Sequence, residues 1–309
     1  MKVFSATMSQ MLVLFIFMAV GFFFNKKNLL PKDDSTVLSK LETYIFVPCL
    51  VFNTFYKYCT VENFTAKWNY LVYGAIIMAV SLPIGIVLAR VFAKENYLRK
   101  IYTYSFAVSN FSFMGNAVVL GVFGEKILFD FMIFTLPLMV YVYSYGTASL
   151  IPTEDGKKFS LKMFVNPILI SMVLGAVCGL TSVPLPDFVT KCVSSAGSSM
   201  SPLAMLLTGF VIGDFSLKKL VSDKKIYIAS ILRLIVIPLA FVLVLKALNT
   251  DPAIVRVALC ATAMPLGLNT VVFPAAYGGD TTPGASMALI SHVMSVITIP
   301  VMFALLTTI

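Results

Sequence analysis

Phe106–Asn116 reads FAVSNFSFMGN, and Ala261–Thr270 reads ATAMPLGLNT. Both clusters sit near the middle of runs that are otherwise apolar and long enough for a helix to cross a bilayer core, which takes about 20 residues. Pro265 has no N–H and its ring clashes with the preceding turn, so a helix breaks or kinks there. Carbonyls freed in hydrocarbon need partners, and the neighbouring Asn, Ser and Thr side chains can supply them. Ser109, Asn110, Ser112, Gly115 and Asn116 interrupt the earlier run in the same way. A single interruption of this kind reads as a simple kink, with its polar side chains joining helices together. Two of them, placed alike in the two halves of one chain, predict broken helices that cross and form a site.

The composition around these runs is that of a membrane protein. The chain has 309 residues, 59% hydrophobic and 12% charged, with a mean hydropathy of +0.93. Soluble domains carry roughly 45–50% apolar and about 25% charged residues. A soluble enzyme, a nucleic-acid binder or a disulfide scaffold of this makeup could not cover itself with polar surface. The net charge of +9 therefore points to cytoplasmic loops beside anionic lipid, with no nucleic-acid partner. Cys49, Cys59, Cys178, Cys192 and Cys260 are scattered without metal-ligand spacing and read as small apolar residues.

Ten apolar runs are visible, at about 5–24, 41–56, 69–93, 101–123, 128–150, 164–182, 192–212, 226–248, 254–277 and 283–308. They are too long for the strands of an outer-membrane barrel, so the predicted fold is an all-α membrane protein of ten transmembrane helices. The first run has no small-x-small cleavage site and is expected to be retained rather than removed as a signal peptide. Loops after the odd-numbered runs hold Lys26, Lys27, Lys32 and Lys40; Arg90, Lys94, Arg99 and Lys100; Lys157, Lys158 and Lys162; and Lys218, Lys219, Lys224 and Lys225. Loops after the even-numbered runs hold far fewer. The positive-inside rule then places the odd loops in the cytoplasm and both termini outside. A polar linker at 151–163 separates a five-helix unit, 1–150, from a second, 164–309. Because five is odd, the second unit is inverted relative to the first. Gly21 and Gly175, and Pro48 and Pro202, recur 154 positions apart. Inverted repeats with broken helices are a recurrent architecture of secondary transporters.

The candidate binding residues are Asn110, Ser112, Asn116, Pro265, Gly267, Asn269 and Thr270, at or beside the two interruptions. Half-helix N-termini there favour an anion and C-termini a cation. Asn53 follows Pro48 in the second run. Arg233 lies about eight residues into the eighth run, where an arginine either attracts a carboxylate or snorkels to the interface. His292, the only histidine, is a candidate for coupling through a proton. Glu42, Asp130, Asp214 and Asp280 fall near the predicted ends of runs, leaving no deep carboxylate. No cofactor is implied, no nucleophile–base set or Walker-type loop is present, and no enzyme activity is expected. The coupling ion, if there is one, is H+ or Na+.

Several of these stretches resemble the auxin efflux carrier family. Asn110, Phe113 and Gly115 match its Asn-Thr-Gly-Phe-x-Gly-x-Pro stretch, from which Phe111, Ser112 and Ala117 depart. Pro265 to Asn269 resembles its Pro-x-Gly-x-Asn run, followed by Phe273 and Tyr277 to Asp280; Ser291 and Thr298 to Pro300 fit the last span. Gly21 through Leu29, Leu30 and Pro31 to Pro48 also fits. The resemblance implies a ten-helix inverted-repeat fold with crossed broken helices four and nine. It also implies an elevator-like movement of spans 3–5 and 8–10 against spans 1, 2, 6 and 7, and a homodimer formed through the latter group. The implied substrate is a small organic anion, a dicarboxylate or an indole-type carboxylate, carried across the cytoplasmic membrane. A channel, or a membrane sensor or receptor, is the alternative.

Overall fold

A computed structural model describes residues 2–31, 34–150, 166–267, 269–271 and 280–306. The predicted linker 151–163 and the family-like Phe273 and Tyr277 to Gly279 lie outside the described residues. Every regular element among the described residues is helical. Among the described residues six helices are long and apolar enough to cross a membrane: Lys2–Lys26, Ser35–Tyr58, Val61–Phe92, Asp187–Gly213, Lys224–Ala247 and Thr282–Leu306. The other predicted spans hold shorter helical pieces among those residues.

In chain order the helices are α1 (Lys2–Lys26), α2 (Asp34–Leu41), α3 (Val47–Tyr58), α4 (Val61–Phe92), α5 (Asn96–Ala107), α6 (Asn116–Phe123), α7 (Glu125–Tyr141) and α8 (Thr147–Leu150). The second half holds α9 (Pro167–Leu180), α10 (Asp187–Ser198), α11 (Met200–Gly213), α12 (Leu217–Leu220), α13 (Lys224–Ile231), α14 (Ile237–Ala247), α15 (Pro252–Thr262) and α16 (Thr282–Leu306). Apolar side chains are exposed along α1 and α4, Ile16 by 62% and Val91 by 76% among them, as faces turned to lipid require.

Two wide turns have a common cause. Pro48 and Pro238 offer no N–H to the carbonyl four residues back and push it aside. The residue before each proline bonds five residues back instead, Val47 N–H to Glu42 C=O and Ile237 N–H to Leu232 C=O. The resulting π-helical turns, Glu42–Phe46 and Leu232–Val236, carry Glu42 and Arg233 into the interior.

Close helix contacts hold the first and second halves together. α1 runs along α11, and α3 along α9. At these contacts Gly21 lies against the Leu206 backbone and Gly175 against that of Phe52; Gly213 meets Asn25, and Gly179 meets Cys59. Each contact maps onto its counterpart by a shift of 154 positions, with the partners exchanged. α4 packs on α5 and α7, where Gly74 touches the Phe134 carbonyl.

Two carboxylates are deeper than their sequence positions suggest. The second span starts at Ser35 rather than 41, so Glu42 lies inside it, fully buried, and neither of its oxygens has a partner among the described residues. Asp130 is 2% exposed and pairs with Lys67 at 2.8 Å, tying α7 to α4. Polar helix starts such as Ser35–Leu41 hide the first turns of a span from an apolar-run reading.

Candidate functional site

The two interrupted runs meet. α15 stops at Thr262, three residues before Pro265, and helix resumes at 269–271. α5 stops at Ala107 without any proline. There the short polar side chains compete with the helix for hydrogen bonds: Ser109 Oγ donates to the Ala261 carbonyl at 2.7 Å, and Asn110 Oδ1 caps the next turn by accepting from Met114 N–H at 3.5 Å. The bared main chains then pair across the gap. Ser109 and Leu266 form an isolated antiparallel bridge, and Asn110 N–H donates to the Pro265 carbonyl at 2.8 Å. Buried backbone groups that lost their helical partners are satisfied by the other break.

Helix α16 backs this crossing. Leu266 N–H donates to Ser291 Oγ at 3.1 Å. His292 Nδ1 lies 2.7 Å from the Ala288 carbonyl, which can only accept, so Nδ1 carries the proton. Nε2 is then the acceptor for Asn110 Nδ2 at 3.1 Å. The proposed coupling residue and the proposed binding residue are thus directly bonded.

Ser109, Asn110, Phe111, Ser112, Phe113, Val142, Gly267 and Asn269 line a narrow cleft of about 10 Å³ at the crossing. The Ser112 hydroxyl is buried with no partner among the described residues. Asn269 Nδ2 donates to Tyr104 Oη at 2.7 Å, and Thr270 Oγ1 donates to the Gly267 carbonyl at 3.0 Å. The N–H ends of the resumed helices, at Phe111–Gly115 and 269–271, bear on this side. Helix N-termini, amides and a hydroxyl without a partner among the described residues suit an anion that is bound without a buried opposite charge.

Of the residues singled out in the sequence, Asn110, Ser112, Gly267 and Asn269 line the cleft, with Pro265 and Thr270 in the chain that shapes it. Asn116, 3% exposed, opens α6 and donates its N–H to the Phe111 carbonyl, and Asn53, 8% exposed, is buried in α3; neither lines the cleft. Arg233 is 3% exposed and faces a different cavity, described below. Val142, which lines the cleft, and Tyr104, which accepts from Asn269 there, were not legible as site residues: only the tertiary packing brings them together. Among the described residues no group of three His, Cys, Asp or Glu could hold a metal.

All-helical architecture, several apolar membrane-length helices and a polar crossing between broken helices define a multi-pass membrane protein of transporter type. A family model described as a membrane transport protein matches residues 6–153 and 151–303. The chain belongs to that family, the auxin efflux carrier family, which is one of transporters rather than enzymes. It is also similar to an uncharacterized transporter of Methanocaldococcus jannaschii, 26% identical over 302 residues that cover 94% of this chain and 96% of the relative.

Proposed function

We propose that the chain is a secondary carrier that moves a small organic anion, a dicarboxylate or an indole-type carboxylate, across the cytoplasmic membrane. Ten spans form two inverted units, 1–150 and 164–309, joined by a cytoplasmic linker at 151–163, with both termini outside. The reciprocal glycine contacts support the inversion, since a two-fold operation within the chain exchanges partners in that way. The bridge at the crossing has the same property: a shift of 156 positions turns Ser109 and Leu266 into Pro265 and Asn110, the pair joined by the neighbouring hydrogen bond. Spans 3–5 and 8–10 would move, elevator-like, against spans 1, 2, 6 and 7, through which the protein would dimerise.

The observation that carries the substrate class is the buried Ser112 hydroxyl, without a partner among the described residues, in a cleft edged by helix N-termini. A carboxylate oxygen would complete it. A proton is the favoured coupling ion, acting through His292. Its arrival at Nε2 would turn that nitrogen into a donor, and Asn110 would have to rotate its amide and release Met114 N–H. The geometry of the anion site would change with it.

Proteoliposomes offered labelled malonate, malate and indole acetate in turn from outside test this proposal. Saturable uptake of at least one is expected, and Ser112→Ala raises its KM about tenfold, the worth of a hydrogen bond to a charged group. Uptake that fails for every carboxylate, or that rises linearly with concentration as a channel would give, contradicts it.

A further inference from the structure

Arg233 sits on the π-helical turn Leu232–Val236 and lines a small cavity of about 20 Å³ on the other side of the broken helices. Gly74 and Ser81 of α4, Thr135 of α7, Ala107 of α5 and Ala261 and Thr262 of α15 share its wall. Ala107 is the last residue of α5, and Thr262 the last of α15. The cavity therefore lies where the C-terminal ends of both half-helices converge. The side chain is 3% exposed, so it does not snorkel to an interface, and its Nε has no partner among the described residues. Neither Asp130 nor Glu42 lines this cavity.

Each helix C-terminus carries about half a negative elementary charge on carbonyls without helical partners, so two of them amount to about one. One guanidinium balances that sum. A site built from two C-terminal ends would otherwise recruit a cation from solution, and sodium is the abundant one. We propose that Arg233 is a tethered countercation: it permanently fills the cation side of the crossing, leaves the N–H side for the carried anion, and makes transport independent of sodium. Arg233 is then a positioning residue that holds the two broken ends together and does not touch the substrate.

This inference rests on the reading of the crossing as the transport site, and the test separates the two. Uptake by wild-type proteoliposomes is compared in sodium and in choline. Arg233→Gln and Arg233→Lys are compared with wild type for uptake and, without substrate, for the melting temperature in detergent. That second measurement is repeated with guanidinium chloride far below its denaturing range, against equal sodium chloride. The expected results are sodium-independent wild-type uptake, a fall of roughly fivefold or more in Arg233→Gln, and near-normal uptake in Arg233→Lys. Guanidinium is expected to raise the melting temperature of Arg233→Gln and to leave the wild type unmoved. Failure of Arg233→Gln to fold while Arg233→Lys folds and transports also supports the proposal. Sodium-stimulated wild-type uptake, an undamaged Arg233→Gln, or an Arg233→Lys as damaged as the glutamine variant overturns it. If no carboxylate moves in the wild type, the transport reading fails while the melting comparison still decides the role of Arg233.

Discussion

Asn110→Ala lowers the initial rate of carboxylate uptake by ten- to a hundredfold while leaving a folded protein. The main-chain bond from residue 110 to Pro265 survives the substitution, so the two breaks still meet. The cap on Met114 N–H is lost, at about 1 kcal/mol. His292 Nε2, 1% exposed as a residue, is left without its donor, at a further cost of about 1–3 kcal/mol. Both losses fall on the wall of the cleft rather than on the framework, so they appear in flux more than in unfolding. Uptake rates and melting temperatures measured on the same preparations check this. An unchanged rate would mean that the anion is held elsewhere.

Gly209→Ala acts in the opposite way, on folding rather than transport. A Cβ at 209 would fall on the Met18 carbonyl oxygen, with Phe22 N close behind. No side-chain rotation can relieve a clash with backbone, so α1 and α11 must separate along their length. Overpacking of this kind costs about 1–3 kcal/mol where neighbours can yield, and here they cannot. The expected outcome is a sharp loss of monodisperse protein in detergent and a melting temperature lower by several degrees. Gly21→Ala, whose Cβ would meet the Leu206 carbonyl on the same pair of helices, behaves alike. Normal yield and melting of either variant would argue against this contact between the halves.

The crossing was legible because its causes are local. Pro265 removes a donor wherever it stands, and the Ser109–Asn110 pair can bond its own backbone, so both breaks could be placed to within a few residues. Even the pairing of distant helices left a trace, in Gly21 and Gly175 at equal spacing. The bond between Asn110 and His292 left none, since it depends on how α16 packs behind the breaks. Arg233 could be placed at a depth but not on a side: the wide turn caused by Pro238 sets the direction of its side chain, and the convergence of two helix ends gives that direction a meaning. Glu42 was misplaced because the seven residues from Ser35 to Leu41 that begin its span are polar enough to look like a loop. Lys67 and Asp130 look like interfacial charges until α4 and α7 are brought together.

Pairing of the two breaks is most directly measured by cross-linking. Ser109 and Leu266 form an antiparallel bridge, in which opposed Cα atoms lie about 4.5–5.5 Å apart, within the span of a disulfide. In a chain whose five native cysteines have been replaced, Ser109→Cys with Leu266→Cys is expected to form an intramolecular disulfide under mild oxidation in membranes. Leu266→Cys paired with Asn53→Cys, on a helix outside the crossing, is not. Failure of the first pair to cross-link while the protein remains folded, or equal cross-linking of both, would contradict a crossing of two broken helices.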